Sequence, residues 1–406
     1  MADTTAQKWK EIGRGTFGVV FTTDAPDIAV KKTFNGSDKL ATEFEHGLAA
    51  SFAATTIGPL LRHEFPGPVP RVPWYQSSRG IQHPSKDAWW IANQGRLPST
   101  NGDDVPNGVF LFERIPPVPR PLQEALIRRF WKTHEEQQAM LNDEDNRDCM
   151  IRPYLQERWA YYEGKGRRKR LNNEQKESLR NFPAYLDDLQ RMGIDCHHVA
   201  RQIALGLAVG HWEAQLDMTD VEYVIAGRSK RAFTTLRSHC IALYDKPSLD
   251  NRTIFPTAEE QQQQSYGLPA NTQMWVVDFD KCSRVRVWDS TLSKDIRRLA
   301  EGINANDPYY PGPLPDTNFG WEVFITFTET YIKAGRCILR HTFEKVATGD
   351  EQLQHVLQRP AMVMREWTKI VMNAKKTQER EVYDARMKIR KIEGWEKPAW
   401  LIDKMA

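Results

Sequence analysis

The chain has 406 residues, with 56 Lys plus Arg against 53 Asp plus Glu and a formal net charge of +3. Its composition, 40% hydrophobic and 27% charged, is globular: it excludes a collagen-like fibre and a disordered chain, and the mean charge excludes a histone-like polybasic protein. At ~100–200 residues per domain the length suits two or three domains, or one large two-lobed unit. No run approaches the ~20 apolar residues a bilayer span requires, and the polar segment Met1 to Lys10 lacks a secretion signal. Cys149, Cys196, Cys240, Cys282 and Cys337 are odd in number and widely spaced, so a disulfide framework is not expected. The expectation is a reduced cytoplasmic protein with no membrane partner.

In chain order, Val19-Val20-Phe21 and Ile28-Ala29-Val30 read as short strands around the turn Asp24-Ala25-Pro26-Asp27. A helix is expected from about Ser37 to Ala54. Residues 62–108 read as loops around short strands such as Trp89-Trp90-Ile91. Val109 to Ile115 reads as a buried strand ending at Pro116-Pro117, and Pro119 and Pro121 extend this into a stiff linker. Segments 122–143, 173–191 and 195–213 then read as helices. Short strands follow at Tyr223-Val224-Ile225 and Met274-Trp275-Val276-Val277, separated by a polar loop over 246–272. Helices resume at 293–303, 319–346 and 361–392. No solenoid repeat is present. The outline is α+β: a bilobal, protein-kinase-like fold, with a small β-rich lobe over 1–116, a larger helical lobe over 117–345 and a helical extension over 346–406.

Three segments carry chemistry. Gly13-Arg14-Gly15-Thr16-Phe17-Gly18-Val19-Val20 matches GxGxxGxV, a glycine turn between strands that lets backbone N–H groups approach phosphates. Lys31 ends Ile28-Ala29-Val30-Lys31 on the next strand, where an ammonium would meet phosphates and a helix carboxylate, Glu43 or Glu45. In the segment from His211 to Val224, Asp217 stands where HRDLxxxN carries its catalytic Asp, and Glu222 where it carries Asn. Val276-Val277-Asp278-Phe279-Asp280 is similar to DFG, whose Asp holds magnesium. Gln215-Leu216 in place of His-Arg, Glu222 in place of Asn, Asp280 in place of Gly and the lack of an APE motif argue against a protein kinase. A small-molecule phosphotransferase of the aminoglycoside-kinase type, or a repurposed kinase fold, tolerates these changes better. Glu213, Asp217, Asp220, Glu222, Asp278 and Asp280 would make the site acidic, suited either to magnesium or to a guanidinium.

Basic segments lie elsewhere. Lys165, Arg167, Arg168, Lys169 and Arg170 follow Trp159, Tyr161 and Tyr162. Arg228, Lys230, Arg231 and Arg237 form a second group, and the last helix carries Arg365, Lys369 and further bases. Such groups can neutralise nucleic-acid phosphates. Cys196-His197-His198 and Cys337/His341 lack zinc-finger spacing, and no GxSxG elbow is present.

Gly210-His211-Trp212, Asp220 to Val224, Trp275 to Cys282 and above all Asn306-Asp307-Pro308-Tyr309-Tyr310-Pro311 resemble a fungal family of unknown function labelled "zinc finger protein". The similarity spans most of 105–335 and implies that the label misleads. It also implies an activity found in some members, the tRNA-dependent synthesis of arginine-containing cyclodipeptides for secondary metabolism. The partners would then be aminoacyl-tRNAs including arginyl-tRNA, with no DNA and no cofactor. Asp217, Glu222 and Asp278 would be the catalytic carboxylates. Lys31, Glu43, Asp220, Asp280 and His211 would form the pocket, under Gly13, Gly15 and Gly18. Lys165, Arg167, Arg168, Lys169, Arg170, Arg228, Lys230 and Arg231 would hold tRNA. The alternatives are a phosphotransferase using ATP and magnesium, with Lys31, Asp217 and Asp278 in their usual roles, and a non-catalytic binding module.

Overall fold

A computed structural model describes residues 7–34, 37–81, 83–98, 108–157, 178–229, 267–287, 292–306, 308–315, 317–344 and 350–378. The N-terminal part is built on an antiparallel sheet ordered β1-β2-β3-β5-β4. Its strands are β1 (Glu11–Arg14), β2 (Gly18–Thr22), β3 (Ile28–Thr33), β4 (Tyr75–Arg79) and β5 (Val109–Glu113). Helix α1 (Ser37–Glu64) crosses between β3 and β4, and the short helix α2 (Ala88–Asn93) follows β4. One face of the sheet packs on Trp9, Trp90 and Leu97. The other faces α1, where Leu40, Leu48 and Ile57 join Tyr75 and Phe110 in the main core.

The C-terminal part is helical around a second, smaller sheet. Helices α3 (Arg120–Phe130) and α4 (His134–Asn142) lead to β6 (Ile151–Pro153), β7 (Phe182–Ala184) and α5 (Leu186–Arg191). Helix α6 (Cys196–Trp212) precedes β8 (Glu222–Gly227) and β9 (Thr272–Val277), and the sheet order is β7-β6-β8-β9. Helices α7 (Leu292–Ala305), α8 (Asn318–Glu344), α9 (Asp350–Leu357) and α10 (Arg359–Gln378) complete the described chain. Asp195 caps α6 by accepting the His198 N–H at 3.0 Å. Nearly every α6 residue is buried, as expected of a helix apolar on all sides, and α8 packs along it. The same core cluster includes Ala361, Met364 and Trp367 of α10.

Several sequence expectations need correction. Trp89-Trp90-Ile91 is helical, because the Asp87 carboxylate accepts the Trp90 N–H at 3.1 Å and starts a turn there. Helix α1 runs ten residues beyond Ala54, through Pro59, because Ile57 and Leu61 are buried in the core. Tertiary packing overrides the proline signal there. The single helix expected over 122–143 is two. Thr133 and Glu136 form a capping box that starts a second helix after the extended Trp131. Within 173–191, Phe182-Pro183-Ala184 is a strand paired in parallel with β6. The helix expected over 361–392 starts earlier, at Arg359, with Pro360 in its first turn, where its missing N–H is harmless.

The proline linker is held from both sides. Pro116 O accepts the Gly227 N–H at 2.8 Å, and the Val118 N–H donates to Cys149 O at 2.9 Å. A second tie joins the two parts nearby. Arg71 forms a two-pronged ion pair with Glu113, closest at 2.9 Å, and both side chains are buried. Glu113 also accepts from the Trp74 N–H and the Ser229 hydroxyl. The Arg71 main chain exchanges hydrogen bonds with Met274 and Val276 of β9, and its guanidinium lies over Trp275.

Candidate functional site

A cavity of about 650 Å³ opens between the two sheets. Gly13 to Gly18 form one wall. Phe110, Phe112, Ile115 and Met150 supply an apolar side, and Lys31, Glu43, Asp220, Glu222 and Asp278 a charged side. The volume is that of a small-molecule site.

The glycine turn closes with the Gly15 N–H donating to Gly18 O at 2.9 Å. Only Gly18 is required by close approach: a Cβ there would stand 2.5 Å from Lys32 O on β3. A Cβ on Gly15 would meet nothing within 4 Å, and one on Gly13 only the Val20 side chain, at ordinary contact distance.

Lys31 sits on β3 opposite Val20 and Phe110. Its ammonium donates to Glu43 Oε1 at 2.6 Å and to Asp278 Oδ1 at 3.0 Å. Of the two carboxylates expected on α1, the structure brings in Glu43, which is buried, and leaves Glu45 exposed. Asp278 follows β9 in the left-handed region, at φ 65°. Gln215, Met218 and Asp220 share that conformation, so unfavourable backbone clusters in the two loops beside the cavity. The β8–β9 register pairs Glu222 with Val277, which sets Glu222 beside Asp278. Arg152 of β6 reaches Glu222 at 2.7 Å. Asp220 pairs with Lys281, whose ammonium also lies over the Phe17 ring of the glycine turn.

The electrostatics follow from too few cations for the carboxylates. Burial opposes the Lys31 charge, but Glu43 and Asp278 outweigh it and hold the pKa above the ordinary lysine value. Burial raises Glu43 to about 7, with Asp278 and Asp280 adding to the rise against the pull of Lys31. Burial also raises Glu222 to about 7, opposed by Arg152 and assisted by Asp278 and Asp220. Asp280 is raised by burial and by Asp278.

Three of the expected catalytic and pocket residues do not line the cavity. Asp217, expected as a catalytic base, is buried in the scaffold beneath it. One oxygen accepts the N–H groups of Thr219 and Ser283 at 3.2 and 2.9 Å, and the other accepts Arg298 Nε at 3.1 Å. It ties the loop before β8 to the loop after β9, a positioning role. His211, expected in the pocket, is fully buried against Tyr331, 2.7 Å from its hydroxyl. Burial lowers its pKa to about 3, so the ring is neutral. Asp280 is half-buried and is also not a lining residue. Lys165, Arg167, Arg168, Lys169, Arg170, Lys230, Arg231 and Arg237 lie outside the described residues; Arg228 is described, at the end of β8.

Arg152 and Lys281 are cavity residues that sequence reasoning missed. Lys281 follows the DFG-like segment directly, so proximity to that motif was an available signal. Arg152 had none, because its strand pairing with β8 spans more than seventy residues.

Among the described residues, no group of three or more His, Cys, Asp or Glu side chains is placed to hold a metal ion. A magnesium ion here would need phosphate oxygens to complete its shell.

One family profile, described as "Zinc finger protein", matches residues 274–342. That stretch covers most of β9, the Asp278–Lys281 segment, α7 and most of α8. No curated protein and no solved structure matches. The expected similarity to a kinase-like family containing cyclodipeptide synthases is therefore corrected: the match carries only the zinc-finger description, and no comparison points to that family. The residues present do not fit zinc either. The only Cys and His residues in the matched stretch are Cys282, Cys337 and His341. Cys282 is buried, donates to Thr219 O at 3.6 Å, and is kept a protonated thiol by that burial and by Asp217. A zinc ligand needs the thiolate.

Proposed function

We propose that the chain is kinase-like in plan, and that its cleft works on an amine-bearing cationic substrate. The reaction would be the tRNA-dependent formation of an arginine-containing cyclodipeptide. The observation that carries this reading is the pair Glu43 and Glu222, two carboxylates of one cavity held near pKa 7. A carboxyl group of that kind gains from a guanidinium partner, and at neutral pH it suits proton removal from an ammonium.

Glu222, beside Arg152 at the cavity wall, takes a proton from the α-ammonium of one aminoacyl ester. The amine attacks the ester carbonyl of the other, the C–N bond forms, and the tRNA hydroxyl leaves with a proton. The second amine then attacks the remaining ester and closes the ring. Two esters thus give one cyclic dipeptide and two free tRNAs, without ATP. The experiment is expression in a bacterial host with mass spectrometry of the medium. Wild-type protein is expected to yield a cyclo-arginyl dipeptide and Glu222→Gln to yield none; soluble wild-type protein without product overturns the reading.

A specific observation favours a second reading. The Lys31–Glu43–Asp278 cluster beneath a glycine turn suits a magnesium nucleotide and phosphoryl transfer. Against it, Asp217 lies outside the cavity wall, and Pro116 and Pro117 give the linker no N–H to pair with a base. Calorimetric titration with magnesium and ATP separates the two: micromolar binding supports the second reading.

A further inference from the structure

A second concavity, of about 440 Å³, lies between α7 and α10, away from the cleft. Lys294 and Arg297 line it from α7, and Arg365 and Lys369 from α10, with Glu366 as the one acid. The two bases of each helix are three or four residues apart, so they stand on one face. The acids that answer them are weakly committed. Arg297 pairs with Glu301 and Lys369 with Glu366 through exposed contacts within a single helix, which water and salt readily replace.

We propose that this groove is a docking surface for the phosphate backbone of an RNA. Four cations brought to one groove from two helices, against one acid, suit a repeating polyanion better than a single anion. Two of the four are arginines, whose planar fork pairs with phosphate oxygens. An acidic protein segment would meet the same charges, and the apolar part of the lining comes from Ile296, Met362 and the stems of the basic side chains, so the preference for RNA rests on the cations and is tested by competition with polyglutamate. Helix α7 also connects the groove to the cleft. Arg298, next to Arg297, donates to Asp217, and Gly302 one turn on packs against the Asp217 carbonyl, where a Cβ would come within 2.3 Å. The helix that carries half the groove thus also supports the loop that bears Asp220 and leads into Glu222 at the start of β8.

The choice of tRNA as probe rests on the proposed function; the surface does not. The experiment is fluorescence anisotropy of labelled, deacylated tRNA against salt concentration. It compares wild-type protein with Lys294→Gln/Arg297→Gln/Arg365→Gln/Lys369→Gln. A triple variant that keeps the partly buried Arg365 covers the case in which the fourfold one misfolds. A control neutralises Arg128, Arg129 and Lys132 on and beside α3, which are equally exposed. Each lost phosphate contact flattens the log–log salt slope by ~0.7–0.9, so the fourfold variant is expected to lose about 3 in slope and to bind at least about tenfold more weakly. An unchanged slope, an equal loss in the control, or displacement by polyglutamate as effective as by unlabelled tRNA overturns the proposal. If the slope falls but wild-type protein makes no dipeptide, the surface stands and the proposed reaction falls. If product forms and the slope is unchanged, the reverse holds.

Discussion

Replacing Lys31 with Met removes the ammonium held between Glu43 and Asp278 at 2.6 and 3.0 Å, and leaves an apolar chain of similar length. The Glu43 side chain is 3% exposed and that of Asp278 32%, so Glu43 is the carboxylate stranded without water. Deleting one partner of a buried ion pair costs about 3–5 kcal/mol. The low end applies, because Glu43 relieves itself by taking up a proton. Already near 7, its pKa rises further once the ammonium is gone. Lys31→Met is therefore expected to lose about 3 kcal/mol at pH 8, and about 1 kcal/mol at pH 5.5, where only the part-exposed Asp278 contact is lost. The wild-type sign is opposite to that of an ordinary salt-bridged carboxylate. The folded pKa of Glu43 lies above its usual 4.5, so between those values the folded state binds more protons than the unfolded chain. Stability from this group is therefore greatest below pH 4.5 and falls as pH rises towards 7, by at most about 3 kcal/mol. Glu222 adds a change of the same sign over the same window. Urea midpoints followed by tryptophan fluorescence at pH 5.5, 7 and 8 measure all of this. A Lys31→Met protein as stable as wild type at pH 8, or a loss that does not shrink on acidification, refutes the reasoning.

Arg71→Ala leaves Glu113 buried without its cation and removes the guanidinium from Trp275, while the main-chain hydrogen bonds of residue 71 to β9 remain; a loss of about 3–5 kcal/mol is expected in urea unfolding. Gly18→Ala puts a Cβ 2.5 Å from Lys32 O and should cost about 1–3 kcal/mol by thermal melting, whereas Gly15→Ala should stay within about 0.5 kcal/mol. Asp217→Asn should lower turnover by loosening the two loops it ties, without moving the pH–rate limb near 7 that Glu222 sets; Glu222→Gln should leave no measurable turnover at any pH. A pH profile altered by Asp217→Asn would return Asp217 to the chemistry.

Much of the cleft was legible locally. The spacing from the glycine turn to Lys31 is read off one hairpin, and the strand after Asp217 and the one before Asp278 are apolar runs bounded by turn residues. The hairpin that sets Glu222 beside Asp278 follows from two such runs being neighbours in one sheet. Local pattern failed where packing decided instead, as in the continuation of α1 through Pro59 and the folding of Trp89-Trp90-Ile91 into a helix capped by Asp87. It failed too for Arg152, because a three-residue strand carries too little periodicity to announce itself.

The amino-acid sequence by itself determined a near-balanced charge, an α+β order of elements, a proline break between a sheet-rich and a helical part, and a set of candidate carboxylates from which the cleft draws. Those properties live in neighbouring residues, where turn chemistry and periodicity act. Tertiary structure alone decided which charges meet. It chose Glu43 over Glu45, brought Asp278 to Lys31 across 247 residues, placed Arg152 on Glu222, and buried Asp217 in the scaffold rather than the cavity. It also turned the opening balance of 56 bases and 53 acids into two separate fields, a carboxylate-rich cleft and a basic groove on α7 and α10. The physical reason is that a carboxylate's role depends on its distance to the nearest cation and on the water it keeps, and both are set by contacts between residues far apart in the chain.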